Sequence, residues 1–216
     1  MKIIHLKINV FRMIEMKKFY SEILEMEIIR ENEHCFTIQA GKTQITFLQA
    51  TDIPFYHFAF RAGLEFYEYM YNKLNKLDLL LPNEEGETSM YWGGKQLYFK
   101  DPDGNILEIL ERENPYSENL EGWYDVCEMG LPSGDVQELS GFLQMIPNEN
   151  VSTSETFRFY GDKRGNFILV KKGRHWYPTE QPAEVYPVTI DVEGDHNQIS
   201  KHSHLPYTFE VKKTLP

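Results

Sequence analysis

The chain has no long uninterrupted apolar run. None approaches the ~18 residues that a membrane-spanning helix requires, which argues against a helical span. The opening segment MKIIHLKINV sets charged residues among its apolar ones. It has neither the apolar core nor the cleavage site of a signal peptide, so the expected location is the cytoplasm. Cysteine is scarce as well: Cys35 and Cys127 stand far apart. One distant pair is no disulfide framework, and two thiols in a reducing compartment are expected. Positive charge is also short. There are 22 Lys and Arg against 33 Asp and Glu, a net charge of -11. Phosphate backbones and anionic membranes draw their partners through cations, so neither nucleic acid nor a membrane surface is an expected partner. No phosphate loop, nucleophile elbow or zinc-finger spacing occurs.

The 216 residues carry 41% hydrophobic and 14% aromatic side chains. That is a globular composition, and the length suits one or two domains. Residues 3 to 10 alternate: Ile4, Leu6, Ile8 and Val10 face one way, His5, Lys7 and Asn9 the other. This is the pattern of a strand with one buried face. A helical stripe follows through Ile14, Phe19, Tyr20, Ile23 and Leu24, then strands over 27–30, 35–39 and 44–48. The order then recurs. Tyr56, Phe58 and Phe60 oppose His57, Ala59 and Arg61; a helix is predicted over 64–77, with Leu64, Tyr67, Met70, Tyr71 and Leu74 on one stripe. Strands are predicted at 88–92, 96–99 and 105–110, the last two joined by Asp101-Pro102-Asp103-Gly104. Its Pro and Gly preset a turn, and its aspartates are expected to cap that turn.

A weaker third copy begins at Tyr124, with a helix stripe Val136, Leu139, Phe142 and Leu143. Its strands are predicted at 156–160, 166–170 and 185–192. A repeat of ~50–70 residues organises the chain better than any single element. The expected fold is therefore α+β, built of βαβββ modules, the third of them degenerate. Residues 1–113 hold the first two (1–52 and 53–113), and residues 120–216 hold the third module and a polar tail. The tail carries His196, His202 and His204, expected to be solvated, and Tyr207–Val211 as a candidate edge strand.

Three side chains stand at matching places in this repeat. His5 and His57 lie on the polar faces of the first strands of copies one and two. Glu108 lies between Leu107 and Ile109 on the last strand of copy two and points opposite to them. If the two copies pair side by side, two imidazoles and a carboxylate converge in one hollow. That set, with positions left open, suits a divalent first-row metal such as Fe, Mn, Ni or Zn. Lys7, Asn9 and Arg61, on the same polar faces, are candidate substrate contacts. Glu128 aligns roughly with His5 in copy three, without a His or Glu pair to complete a second site there.

The segment Tyr98-Phe99-Lys100-Asp101-Pro102-Asp103-Gly104-Asn105-Ile106-Leu107-Glu108 resembles the last hairpin of the vicinal oxygen chelate superfamily. That superfamily includes glyoxalase I, extradiol dioxygenases, and fosfomycin- and bleomycin-resistance proteins. His5 on a strand followed by a helix with Phe19-Tyr20 is similar to its opening. The resemblance covers residues 1 to about 112 and weakens beyond. It implies paired βαβββ modules forming a cupped mixed β-sheet with a metal at its centre, ligand positions at His5, His57 and Glu108, and a substrate-contacting tyrosine at Tyr98. It also implies a metal-dependent enzyme of the glyoxalase or dioxygenase type, chelating two adjacent oxygens of a small substrate. The alternative is a sequestering module of the bleomycin-resistance type, without chemistry. An odd number of copies leaves one unpaired, and a homodimer would complete it.

Overall fold

The computed structural model of the chain describes residues 1–150 and 154–213. Fifteen strands form two mixed sheets, and the short helices lie on their outer faces. The first module runs β1 (Ile3–Val10), α1 (Met13–Lys18, continuing as a wider turn over Phe19–Ile23), β2 (Glu27–Asn32), β3 (Cys35–Ala40) and β4 (Thr43–Gln49). The second runs β5 (His57–Ala62), α2 (Leu64–Lys76), the two-residue strands β6 (Leu80–Leu81) and β7 (Met90–Tyr91), β8 (Lys95–Lys100) and β9 (Ile106–Glu111). The third has β10 (Trp123–Ser133), α3 (Val136–Phe142), β11 (Phe157–Asp162) and β12 (Gly165–Lys171). Then come β13 (Val188–Gly194), β14 (Gln198–Lys201) and β15 (Tyr207–Lys213).

The predicted α+β class and cupped sheets are present. The partnership of modules differs from the expectation. In the first sheet the order is β14-β15-β13-β1-β4-β3-β2; in the second it is β11-β12-β10-β5-β9-β8-β6, with β7 on β8. Module one therefore pairs with the C-terminal strands, and module two with module three. β13 was expected to close the third module, yet it lies antiparallel to β1. It also runs parallel to β15, as β1 does to β4 and β5 to β9. Residues 188–213 are thus a fourth copy reduced to three strands, with no helix. The chain holds an even number of modules and closes both pairs internally, so the unpaired copy that suggested a homodimer does not arise.

Period-2 patterning sets the faces. Leu6, Ile8 and Val10 are fully buried between sheets and helices, while His5, Lys7 and Asn9 are half-buried on the opposite face. On α2, Tyr67, Met70 and Leu74 form the buried stripe, and Leu64, expected on it, is exposed. One continuous core spans both sheets. The Asp101–Asn105 turn locks the modules together. The Asp101 carboxylate accepts from the backbone N–H groups of Asp103 and Asn105, the Asn105 amide and the Tyr20 hydroxyl, at 2.8–3.1 Å. Asp103 accepts from the backbone N–H groups of Phe11 and Arg12 at the end of β1. The aspartates do cap the turn, and they also dock the second module onto the first. Both cysteines are free thiols. No helix among the described residues is long and apolar enough to cross a membrane.

Candidate functional site

β5 is buried along its whole length, on the face expected to be polar as well as on the core face. Two things cover it. β10 and β9 flank it in the sheet, and the segment after β12 folds back over it, bringing Trp176 onto the His57 imidazole with ring centroids 4.6 Å apart. Gly130 makes this possible. A Cβ there would lie 2.7 Å from the indole of Trp176 and 3.0 Å from the His57 carbonyl oxygen, closer than packing tolerates.

Beneath this cover is a cavity of about 220 Å³, whose lining includes His57, Gln96, Tyr98, Glu108, Glu128 and Trp176. Pairing register explains the convergence. His57 pairs with Ile106, Ala59 with Glu108, and Tyr98 with Glu108. On the other side of β5, Glu128 pairs with Ala59. Glu108, Ala59 and Glu128 therefore form one row across three strands, and residues directly opposite share a face. Their two glutamates are two strand spacings apart at the backbone, about 10 Å, with only the alanine methyl between.

The chemistry follows from burial. His57 Nδ1 meets the Ile106 carbonyl oxygen at 3.0 Å and donates to it, which leaves the Nε2 lone pair 3.8 Å from Glu108 Oε2. Burial pushes the imidazole down to about 4, against the raising effect of that hydrogen bond, so it is neutral near pH 7. Glu108 is 5% exposed. Its carboxyl is held well above the usual range, first by burial and then by the charge of Glu128; a hydrogen bond from Tyr98 and the Arg112 charge oppose this. Glu128 is raised for the same first reason, with Arg112 and Arg61 pulling it down. Burial and the Glu108 charge keep the Tyr98 phenol protonated across the physiological range.

His5 does not join this group. It lies on β1 in the other sheet, 18% exposed, with Nε2 2.7 Å from Thr46 Oγ1 and Nδ1 3.6 Å from Asp191 Oδ2. The reason is topological: β1 takes β13 as its neighbour, and β5 takes β10. Lys7 and Asn9 share the strand of His5. Arg61 is on β5 but committed elsewhere, its Nε 3.2 Å from Asp125 Oδ1 and an Nη2 donating to the Arg164 carbonyl. Among the described residues no three His, Cys, Asp or Glu side chains are disposed to enclose a metal ion. Of the three expected ligands the structure brings two together, His57 and Glu108, and it adds Glu128. The alignment of Glu128 with a first-strand His position was the available signal for it. Gly130 gave none.

Cupped sheets of paired βαβββ modules are the fold of the glyoxalase-like class. The profile of the Glyoxalase/Bleomycin resistance protein/Dioxygenase superfamily matches residues 2–109, half of the chain, and the chain belongs to that superfamily. Among curated proteins none matches the sequence. A structure of a proposed dioxygenase from Bacillus subtilis subsp. subtilis str. 168 is similar over 100% of this chain and 86% of its own, with TM-score 0.66 and 16% identity. The V278E mutant of glyoxalase I from Zea mays is similar over 97% of this chain and 92% of its own, with TM-score 0.61 and 12% identity. At these identities the likeness is one of fold.

Proposed function

We propose that the cup of the second sheet is the reaction centre of an enzyme acting on a small oxygenated molecule, with a divalent ion held by His57, Glu108 and Glu128. The observation that carries this reading is a buried Glu108 whose Oε2 lies 3.8 Å from the His57 Nε2, with the half-buried Glu128 lining the same cavity. Two acids that line one cavity repel when ionised, and a dication relieves that repulsion; a neutral imidazole is the form that ligates. The Ile106 carbonyl fixes the tautomer, as an outer partner of a ligating histidine does. The donor types suit a divalent ion, with Glu128 in the place expected for His5, but the three side chains do not enclose one as they stand, so binding would require both carboxyls to turn toward His57 Nε2.

A divalent ion there would take up two adjacent substrate oxygens and stabilise the negative charge that develops on them. The chain's own residues do the rest. Tyr98 is a neutral phenol beside Glu108, with the Gln96 amide donating to its oxygen at 3.2 Å. It is therefore a proton donor at the edge of the site. Trp176 closes the floor behind His57, and its indole excludes water from the pair. The aromatic walls take a flat substrate body.

Acetohydroxamate, a bidentate oxygen chelator, tests this. It is expected to bind protein reloaded with Mn(II) after chelator treatment and not the metal-free protein, with binding lost in His57→Ala and weakened about tenfold in Tyr98→Phe. Binding that ignores both the ion and His57 would overturn the reading and favour a sequestering module.

A further inference from the structure

We propose that the substrate of this cup is an organic anion, a carboxylate on a planar body, and that Arg112 binds its negative charge. The inference rests on the cup being the ligand site and names the class of molecule it takes.

Arg112 follows β9 and continues the face of Glu108 and Leu110, since alternate residues of an extended segment share a side. It lines the 220 Å³ cavity and also the adjoining hollow that contains Arg61, Lys163 and Arg164. It stands where the two meet. Its guanidinium is fixed by backbone alone: Nη1 donates to the Glu111 carbonyl at 2.8 Å and Nη2 to the Trp92 carbonyl at 3.3 Å. The chain gives way to it at Gly94. That glycine has φ +155°, and a Cβ there would meet Arg112 Nη1 at 2.3 Å.

Carbonyl partners orient a guanidinium without neutralising it. Two of the neighbouring arginines are neutralised by carboxylates. Arg61 pairs with Asp125, and Arg164 with Asp162 and Glu193. Arg174 also lines the cavity, but it is exposed and packs over the Phe157 ring at 5.2 Å rather than being held by backbone carbonyls. Among the described residues Arg112 has no carboxylate in hydrogen-bond or ion-pair contact. Glu111 turns one carboxylate oxygen to the Lys95 backbone N–H. Glu108 and Glu128 feel the Arg112 charge but make no ion pair with it.

A guanidinium fixed by backbone carbonyls, without an ion-pair partner and lining a cavity, is a preorganised receptor for a planar two-oxygen anion. The same cavity is lined by the rings of Tyr98, Phe159, Trp92 and Trp176. A ligand lodged there lays its flat body on rings and its carboxylate on Arg112.

The test uses 2-naphthoate and 2-naphthamide, which share a body and differ in charge. Each is titrated into the full chain with and without Mn(II), and quenching of tryptophan fluorescence is followed. The carboxylate is expected to bind at least about tenfold more tightly than the amide, a preference erased in Arg112→Gln and kept in Arg174→Gln. Equal binding of the two, no binding of either, or a preference that survives Arg112→Gln would overturn the proposal. Its failure is separable from failure of the metal reading. A carboxylate preference indifferent to Mn(II) keeps Arg112 and counts against the ion; amide and acid bound equally, both strengthened by Mn(II), do the reverse.

Discussion

Glu128 and Glu108 face one another across Ala59, the first from module three and the second from module two, and burial keeps both from ionising as free carboxyls do. Neither has a lysine or arginine as an ion-pair partner among the described residues. The cup therefore gathers two carboxyls whose ionisation the fold resists, which is a feature of sites rather than of cores.

This arrangement has a pH signature in metal-free protein. Glu128 is raised from 4.5 to about 7. Between those values the folded chain holds a proton that the unfolded chain has released. Stability is therefore expected to fall as pH rises through that window. Glu128→Gln is expected to flatten the profile and to raise the melting temperature at pH 8, by about 2–4 °C for each kcal/mol of repulsion relieved. Thermal melts from pH 5 to 8, with chelator present, check this. A profile that Glu128→Gln leaves unchanged would show that the carboxyl is not strained.

Gly130 is needed for its lack of a side chain, because the Trp176 indole occupies the space a Cβ would take. Gly130→Val is expected to lift Trp176 off His57 and to cost about 1–3 kcal/mol, as overpacking does. Urea denaturation followed by tryptophan fluorescence reads both effects. A variant with unaltered emission and stability would mean that the strand simply shifts to admit the methyls.

Asp101 collects four hydrogen bonds from three residues, one of them Tyr20 of the first module. Asp101→Ala strips the acceptor from buried donors. About 3 kcal/mol or more of stability is expected to be lost, by a mechanism remote from the cup. Acetohydroxamate affinity of the Mn(II)-loaded variant, measured below its melting point, should stay within about twofold of the parent if the turn is structural alone.

The sequence carried much of this architecture, because strand faces and turns are local properties. Leu6, Ile8 and Val10 against His5, Lys7 and Asn9 follow from period-2 alternation, and the Asp101–Gly104 turn follows from Pro and Gly. The choice of partner for each module is not local. An edge such as β1 offers the same N–H and C=O groups to β5 or to β13, and alternation alone does not distinguish them. The decision falls to side-chain packing between distant segments, including Trp176 over Gly130. For the same reason the reduced copy at 188–213 was hard to read. Without a helix its strands looked like the end of module three and a tail. That one ambiguity moved His5 away from His57 and brought Glu128 in.

The most direct test of the account is the metal content of untagged protein carrying His5→Ala, His57→Ala or Glu128→Ala, measured after reloading with Mn(II) and desalting. The expected result is close to one equivalent in the parent and in His5→Ala, and loss in the other two. Loss in His5→Ala equal to that in His57→Ala would contradict it, since it would require an ion shared by side chains that the fold sets on separate sheets.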